Sequence, residues 1–329
     1  MRTVVARNQS IQLINNDKPM IKPSYLLVKT KFSAISPGTE LSMVKRSGEK
    51  EVKLGYSAFG IVEECGEHTE GFSPGDRVAC YGAPYVEHSD YLLVPKTLCA
   101  KVPDAVSDAE ASMGGIGAIA IHALRIAKLQ FGEKIVVAGL GIIGQMIAQI
   151  ADAAAYDVYA LDIVHNRTKL LQSRKNIKCF SNSEEISHHL GKGADAVLLC
   201  TGGNDSELNA QSLSWARDKG KIVIVGDIEP CFPRNAMFAK EAEVLIARAG
   251  GPGRYDPVFE KEAIDYPYGF IRWTEGRNLA EYLRLVEEKR IDVSPYLKEI
   301  VGLESVSMAY RSLADKQSTI LTHLISFQK

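Results

Sequence analysis

Three glycines set at Gly139-Leu-Gly141-Ile-Ile-Gly144 follow a β-branched run from Lys134 to Ala138 and lead into Ile143, Met146, Ile147 and Ile150 at helical spacing. Strand, tight turn and helix in that order are suited to phosphate binding. Gly139 makes the turn, Gly141 lets backbone approach a pyrophosphate, and Gly144 lets the helix pack closely on the strand. The phosphates then meet free N–H groups in the first helical turn, around Ile143, where the backbone dipole favours an anion. A second strand, Asp157 to Leu161, ends in Asp162. A carboxylate there accepts hydrogen bonds from adenosine ribose hydroxyls and repels a 2′-phosphate, so the expected cofactor is NAD rather than NADP. The plainer role for Asp162 is to cap the next helix. Arg167 lies against the adenine or is solvated, and Thr201 and Gly226, at the ends of later strands, complete the cofactor-binding candidates.

The elements that position these residues alternate. Later strands are read at Asp195 to Cys200, Lys221 to Val225 and Val244 to Ala247, with helices at about Asn166 to Arg174, Ser206 to Arg217 and Asn235 to Glu241. Such alternation predicts a parallel sheet covered by helices on both faces, with Asp162, Thr201-Gly202 and Gly226-Asp227 lining one crevice beyond the strand ends. Residues 1 to about 110 read instead as β-rich, with strands such as Leu26 to Phe32, Ala58 to Glu63 and Tyr91 to Val94 between Pro/Gly turns. A glycine cluster, Gly114-Gly115-Ile-Gly117, precedes a helix over Ala118 to Ala127. Beyond Gly250 the alternation stops, and helices at Asn278 to Lys289 and Glu304 to Leu313 and a strand at Thr319 to Phe327 close the chain. The expected organisation is one doubly wound (Rossmann) α/β domain, residues 118–250, inserted into a β-rich domain made of residues 1–117 and 251–329.

Length and composition agree with this. At 329 residues the chain exceeds what one hydrophobic core usually serves. Lys plus Arg is 39 against Asp plus Glu 40, with no basic run, so neither nucleic acid nor an anionic membrane is an expected partner. No segment is apolar enough for a signal peptide or membrane span. The six cysteines, Cys65, Cys80, Cys99, Cys179, Cys200 and Cys231, form no close pair, which suits reduced thiols in a cytoplasm.

Several pieces taken together resemble one family. Gly38-Thr39-Glu40, GFSPGDRVA at Gly71 to Ala79, SDYLLVP at Ser89 to Pro95 and the VVAGLGIIG turn are similar to the medium-chain dehydrogenase/reductases, the superfamily of zinc alcohol dehydrogenases and quinone reductases. AISPGTE, LGYSAFGIVEECG and the GRYDP to RWTEGRN stretch look most like the subgroup of bacteriochlorophyllide dehydrogenase. The resemblance implies a GroES-like β-rich catalytic domain, a small-molecule substrate and a homodimer. It also shows what has changed. Pro37 stands where zinc members have a Cys, Tyr56 where they have a ligand His, and Met113 to Gly117 holds no ligand at all. Only Gly82 to Ser89 spans the place of their four-cysteine lobe, so no metal is expected. Cys80 with His88 and Cys65 with His68 read as ordinary strand or loop residues, and His122 as a packed core histidine.

Without zinc, a substrate oxygen needs another donor. Tyr56 and Thr39 are the catalytic candidates: Thr39 keeps the family's proton-relay position, and a phenol at Tyr56 can act as general acid or base. A nearby nicotinamide cation would lower that phenol's pKa. The alternatives are that Tyr56 fills volume and that Thr39 caps a helix starting at Glu40. Ser36, Ser57 and Tyr85 are lesser candidates, and Arg254 to Arg277 is dense in groups that bind polar ligands. These residues point to a zinc-independent, NAD-dependent oxidoreductase acting on a secondary alcohol or carbonyl of a polyol or sugar-like substrate. The rival readings are a quinone or enoyl reductase and a non-catalytic NAD(H)-binding protein.

Overall fold

The computed structural model describes residues 1–315 and 318–328. They divide into two compact units: Met1–Ala118 with Gly250–Lys289 and Val293–Lys329, and Ile119–Ala249 with Arg290–Asp292.

The first unit opens with an antiparallel hairpin, β1 (Arg2–Arg7) and β2 (Ser10–Asn15), in register from Arg2↔Asn15 to Arg7↔Ser10. Then come β3 (Tyr25–Ala34), α1 (Pro37–Arg46), β4 (Val52–Lys53), β5 (Ser57–Cys65), β6 (Arg77–Tyr81), β7 (Tyr91–Pro95) and β8 (Cys99–Lys101). Strand β3 is the hub: β5 pairs antiparallel along one edge and β7 along the other, and β6 and β8 extend the sheet beyond β5. Leu26, Val28, Val62, Val78, Leu92 and Val94 from these strands fill one core.

Helix α2 (Asp108–Ser112) begins with a capping box, Ser107 with Glu110. Helix α3 (Gly114–Ala127) starts earlier than the Ala118 read from sequence. The glycines that argue against helix are required by packing. A β-carbon at Gly114 would lie 2.5 Å from Leu279, at Gly115 2.5 Å from Tyr81, and at Gly117 2.1 Å from Tyr282. Close approach outweighs the roughly 1 kcal/mol propensity penalty of each glycine.

The second unit runs β9 (Lys134–Ala138), α4 (Ile142–Ala153), β10 (Asp157–Leu161), α5 (His165–Lys169), β11 (Ile177–Phe180), α6 (Ser183–Leu190), β12 (Ala194–Leu199), α7 (Ser206–Trp215), β13 (Ala216–Ile224), α8 (Arg234–Lys240) and β14 (Glu243–Ile246). All pairings are parallel, in the order β11-β10-β9-β12-β13-β14. This is the doubly wound order, with the chain reversing direction across the sheet at β9. Helix α5 ends at Lys169, short of the Arg174 expected from sequence, and α7 stops at Trp215 because Ala216 already pairs with Ala194. Strand β11 and helix α6 were not anticipated: Ile-Lys-Cys-Phe is short, and α6 buries only Ile186 and Leu190.

The chain then returns to the first unit with α9 (Pro257–Glu260), α10 (Glu275–Glu287), β15 (Ile300–Gly302), α11 (Val306–Leu313) and β16 (Leu324–Ser326). Helix α10 starts ahead of the expected Asn278 because the Thr274 side chain accepts from the Arg277 amide and caps it. The strand expected over Thr319 to Phe327 contracts to β16, where pairing with β3 and β15 begins. Val306, Ala309, Tyr310 and Leu313 of α11 cover a second core with Val4, Ala6, Ile35 and Leu54. No helix among the described residues is long and apolar enough to cross a membrane.

Candidate cofactor and substrate sites

In the second unit, β9 delivers the chain to Gly139 at φ 93°, a left-handed conformation that suits glycine. A β-carbon there would lie 2.6 Å from the Thr201 methyl, and one at Gly144 would lie 1.9 Å from the Gly139 carbonyl oxygen. The middle glycine differs. Gly141 is the N-cap of α4, and no heavy atom lies within 4 Å of its absent side chain. The Gln145 amide returns to the Gly141 carbonyl at 2.9 Å, so the amides of Ile142, Ile143 and Gly144 precede the first helical bond and are the first-turn donors of α4.

Thr201 follows β12, and its hydroxyl is buried without a hydrogen-bond partner among the described residues. Gly226, after β13, lies so close that a β-carbon would be 1.9 Å from the Thr201 carbonyl oxygen. Gly139, Asp162, Thr201 and Gly226 thus stand at the carboxyl ends of β9, β10, β12 and β13, where the strand order reverses. An open glycine gap, unbonded helix amides and an orphaned hydroxyl fit a dinucleotide pyrophosphate.

Asp162 has backbone partners that the sequence reading did not foresee. Only 6% exposed, it accepts from the Leu140 amide at 2.6 Å and the Val164 amide at 2.8 Å, and Arg167 Nη1 lies 3.7 Å away. It does not cap α5, whose N-cap is Val164. It braces the glycine turn instead, together with Gln145, whose amide donates to the Leu140 and Arg167 carbonyls. The carboxylate keeps acceptor capacity, since each oxygen has two lone pairs. Asp162→Asn would turn an NH₂ group toward one of two backbone donors, so a loss of about 1–3 kcal/mol of stability is expected. An unchanged urea midpoint with unchanged slope would contradict the bracing role. Arg167 is ion-paired with Asp162 rather than solvated.

The first unit holds the candidate substrate residues. Ser36 is the N-cap of α1, so the reading of Thr39 as a cap is corrected: Thr39 lies inside the first turn and is exposed. The half-buried Tyr56 donates its hydroxyl to Ser36 Oγ. Burial pushes the Tyr56 phenol above its ordinary range; the Glu40 charge adds to this, and hydrogen bonding to Ser36 and Thr39 offsets only part. The lowering expected from a nearby nicotinamide cation would act against this rise. Tyr81 packs edge-on to Tyr56 at 6.1 Å between centroids. Ser57 is withdrawn from the candidates, because it is 1% exposed and its hydroxyl joins the Ser112 carbonyl at 2.6 Å to the Gly115 amide at 2.8 Å.

Sequence reasoning missed a buried group beneath Tyr56. Glu40, His88 and Tyr310 meet there, and His88 is not the ordinary loop residue expected. Among the described residues no cluster of three or more His, Cys, Asp or Glu is placed to hold a metal ion. In the second unit, burial and then Arg125 and Arg248 push the His122 imidazole down to about 4, which keeps it neutral on α3.

Residues 22–124 match the alcohol dehydrogenase GroES-like domain. The chain is 28% identical over 343 residues to D-xylulose reductase of Saccharomyces cerevisiae, covering 89% of this chain and 88% of that protein. A shorter match, 33% over 166 residues, is to the highly reducing polyketide synthase cla2 of Cladosporium cladosporioides; it covers 49% of this chain and 7% of that much longer protein. Among solved structures, a short chain alcohol dehydrogenase from E. coli CFT073 complexed with NADH superposes with a TM-score of 0.82 at 17% identity, covering 99% of both chains. A protein from Sinorhizobium meliloti 1021 bound to NADP superposes at 0.78 and 17% identity, covering 99% of this chain and 98% of that one. Domain match, relatives and fold together support the zinc alcohol dehydrogenase-like class of medium-chain dehydrogenase/reductases that the motifs resemble.

Proposed function

We propose that the chain is an NAD-dependent oxidoreductase that interconverts a secondary alcohol and a carbonyl on a polyol or sugar-like substrate without zinc. Relatives named D-xylulose reductase, sorbitol dehydrogenase and (R,R)-butanediol dehydrogenase support the oxidoreductase and its hydroxylated substrate class. The observation that carries the zinc-free part is Tyr56, a phenol hydrogen-bonded to Ser36 where the resembling family keeps a ligand His. The departures at Pro37 and Tyr56 are those that separate this chain from the zinc members of the superfamily.

A bound nicotinamide supplies the hydride acceptor or donor. The glycine turn and the α4 amides would hold its pyrophosphate, and Asp162 the adenosine ribose. Tyr56, protonated at neutral pH, would donate to the substrate oxygen as negative charge develops there, and Ser36 and Thr39 would orient the phenol.

On this reading NAD(H) binds at least about tenfold more tightly than NADP(H), about 1.4 kcal/mol, and Asp162→Gly narrows the gap. Equal affinity of the parent chain for the two nucleotides by calorimetry would contradict the assignment. The reaction is tested by following NAD⁺ reduction against polyols, sugar acids and secondary alcohols, with NADH oxidation against enones in parallel. Turnover confined to the enones would make the chain a double-bond reductase. Nucleotide binding without turnover in either arm would make it a binding protein.

A further inference from the structure

Glu40 is completely buried and accepts three hydrogen bonds: the Ser36 amide at 2.7 Å on Oε1, and His88 Nε2 at 2.9 Å and the Tyr310 hydroxyl on Oε2. Against the Glu40 oxygen, His88 Nε2 is placed to donate. Its other nitrogen, Nδ1, lies 2.7 Å from Ser33 Oγ. Ser33, Ser36, Glu40, His88 and Tyr310 are each 3% exposed or less. Gly55 makes room for this cluster, since a β-carbon there would lie 2.7 Å from the His88 amide.

Four separate segments meet in this buried cluster: β3 through Ser33, the first turn of α1, the loop before β7, and α11. Stability alone is a poor reason to keep it. A buried ionic group replaced by well-packed apolar residues is often neutral or stabilising, because desolvation offsets the attraction. The placement is more informative. The residue that takes the Tyr56 proton in its hydrogen bond is Ser36, and it is the Ser36 amide that Glu40 holds.

Resting on the reading of Tyr56 as the donor to substrate oxygen, we infer that Glu40 is its positioning residue, clamped by His88 and Tyr310 so that it fixes Ser36 under the phenol and keeps the phenol protonated. The carboxylate opposes a second negative charge at Tyr56, which agrees with the Coulombic contribution of Glu40 to the raised phenol pKa. The groups facing Glu40 are His88, Tyr310 and, across the Ser36 contact, Tyr56. No proton leaves through Glu40, since the link to Ser36 is through a backbone amide.

The test uses the full chain carrying a polyfluorinated tyrosine at position 56. That phenol is intrinsically more acidic, so it ionises while the protein is folded, and its ¹⁹F resonance reports this site alone. Glu40→Gln is expected to lower the ionisation midpoint by about one pH unit or more, a tenfold change. Should that variant not fold, Tyr310→Phe decides: it removes a donor that partly neutralises Glu40, so the midpoint rises. Midpoints unchanged in the folded variants, with only thermal stability reduced, would overturn the inference and leave the cluster as a structural lock. With a panel substrate, Glu40→Gln is expected to lower kcat about tenfold at constant KM for the nucleotide. If the parent turns over nothing, the proposed reaction fails, and the ¹⁹F midpoints still decide the role of Glu40.

Discussion

Gly141→Ala is expected to leave the chain as stable as the parent while weakening NAD(H) binding at least tenfold, and Gly144→Val to damage both. The contrast follows from what each side chain would meet. At Gly141 a β-carbon finds no atom within 4 Å, and the residue is extended at φ −64°, so alanine fits the fold. The methyl then occupies the gap over the first turn of α4 where a phosphate would approach. At Gly144 the β-carbon would sit 1.9 Å from the Gly139 carbonyl oxygen, so α4 must move away from β9. Overpacking of this kind costs about 1–3 kcal/mol or more, and the displaced amides no longer point at the gap. Affinity is expected to fall about a hundredfold, about 2.8 kcal/mol at about 1.4 per factor of ten. A Gly141→Ala chain that binds NAD(H) as the parent does would show that this turn does not hold the pyrophosphate.

Tyr56→Phe is expected to lower kcat by about 10²–10⁴-fold, the usual contribution of a general acid, or about 3–5 kcal/mol of transition-state stabilisation. The ring and its edge-on contact with Tyr81 are kept. What is lost is the hydroxyl that donates to Ser36. Nucleotide affinity is expected to stay within a factor of about two, a few tenths of a kcal/mol. If Tyr56 only fills space, the result inverts: the Phe variant turns over normally and harm appears in Tyr56→Ala. Thr39→Val separates the two catalytic candidates, because a relay through Thr39 would make that variant slow as well.

The strand, glycine turn and helix could be read from sequence because their information is local. A β-branched run, three spaced glycines and an apolar helix lie within one stretch, and β9 and β10 have the bounds expected of them. That Asp162 also braces the Leu140 amide was not legible, since a carboxylate that does so and one that does not share the same sequence. Ser57 read as a candidate because a serine beside Tyr56 shows nothing of its bond to Gly115, 58 positions away. The Glu40 cluster was hidden for the same reason: its side-chain partners His88 and Tyr310 lie 48 and 270 positions away. Gly114 and Gly117 misled in the other direction, because their demand for close packing on Leu279 and Tyr282 becomes visible only once α10 is in place.

The central claim is that this chain performs dehydrogenase chemistry with Tyr56 in place of zinc. It is tested most directly by treating purified protein with chelator, verifying by elemental analysis that less than about a tenth of an equivalent of zinc per chain is left, and measuring NAD⁺ reduction on the panel substrate the untreated protein turns over. A metal with few or no protein ligands contributes nothing to such a site. The account therefore predicts an unchanged rate, which Tyr56→Phe then removes. Close to one zinc per chain before treatment, with activity lost on chelation and restored by added zinc, would contradict it.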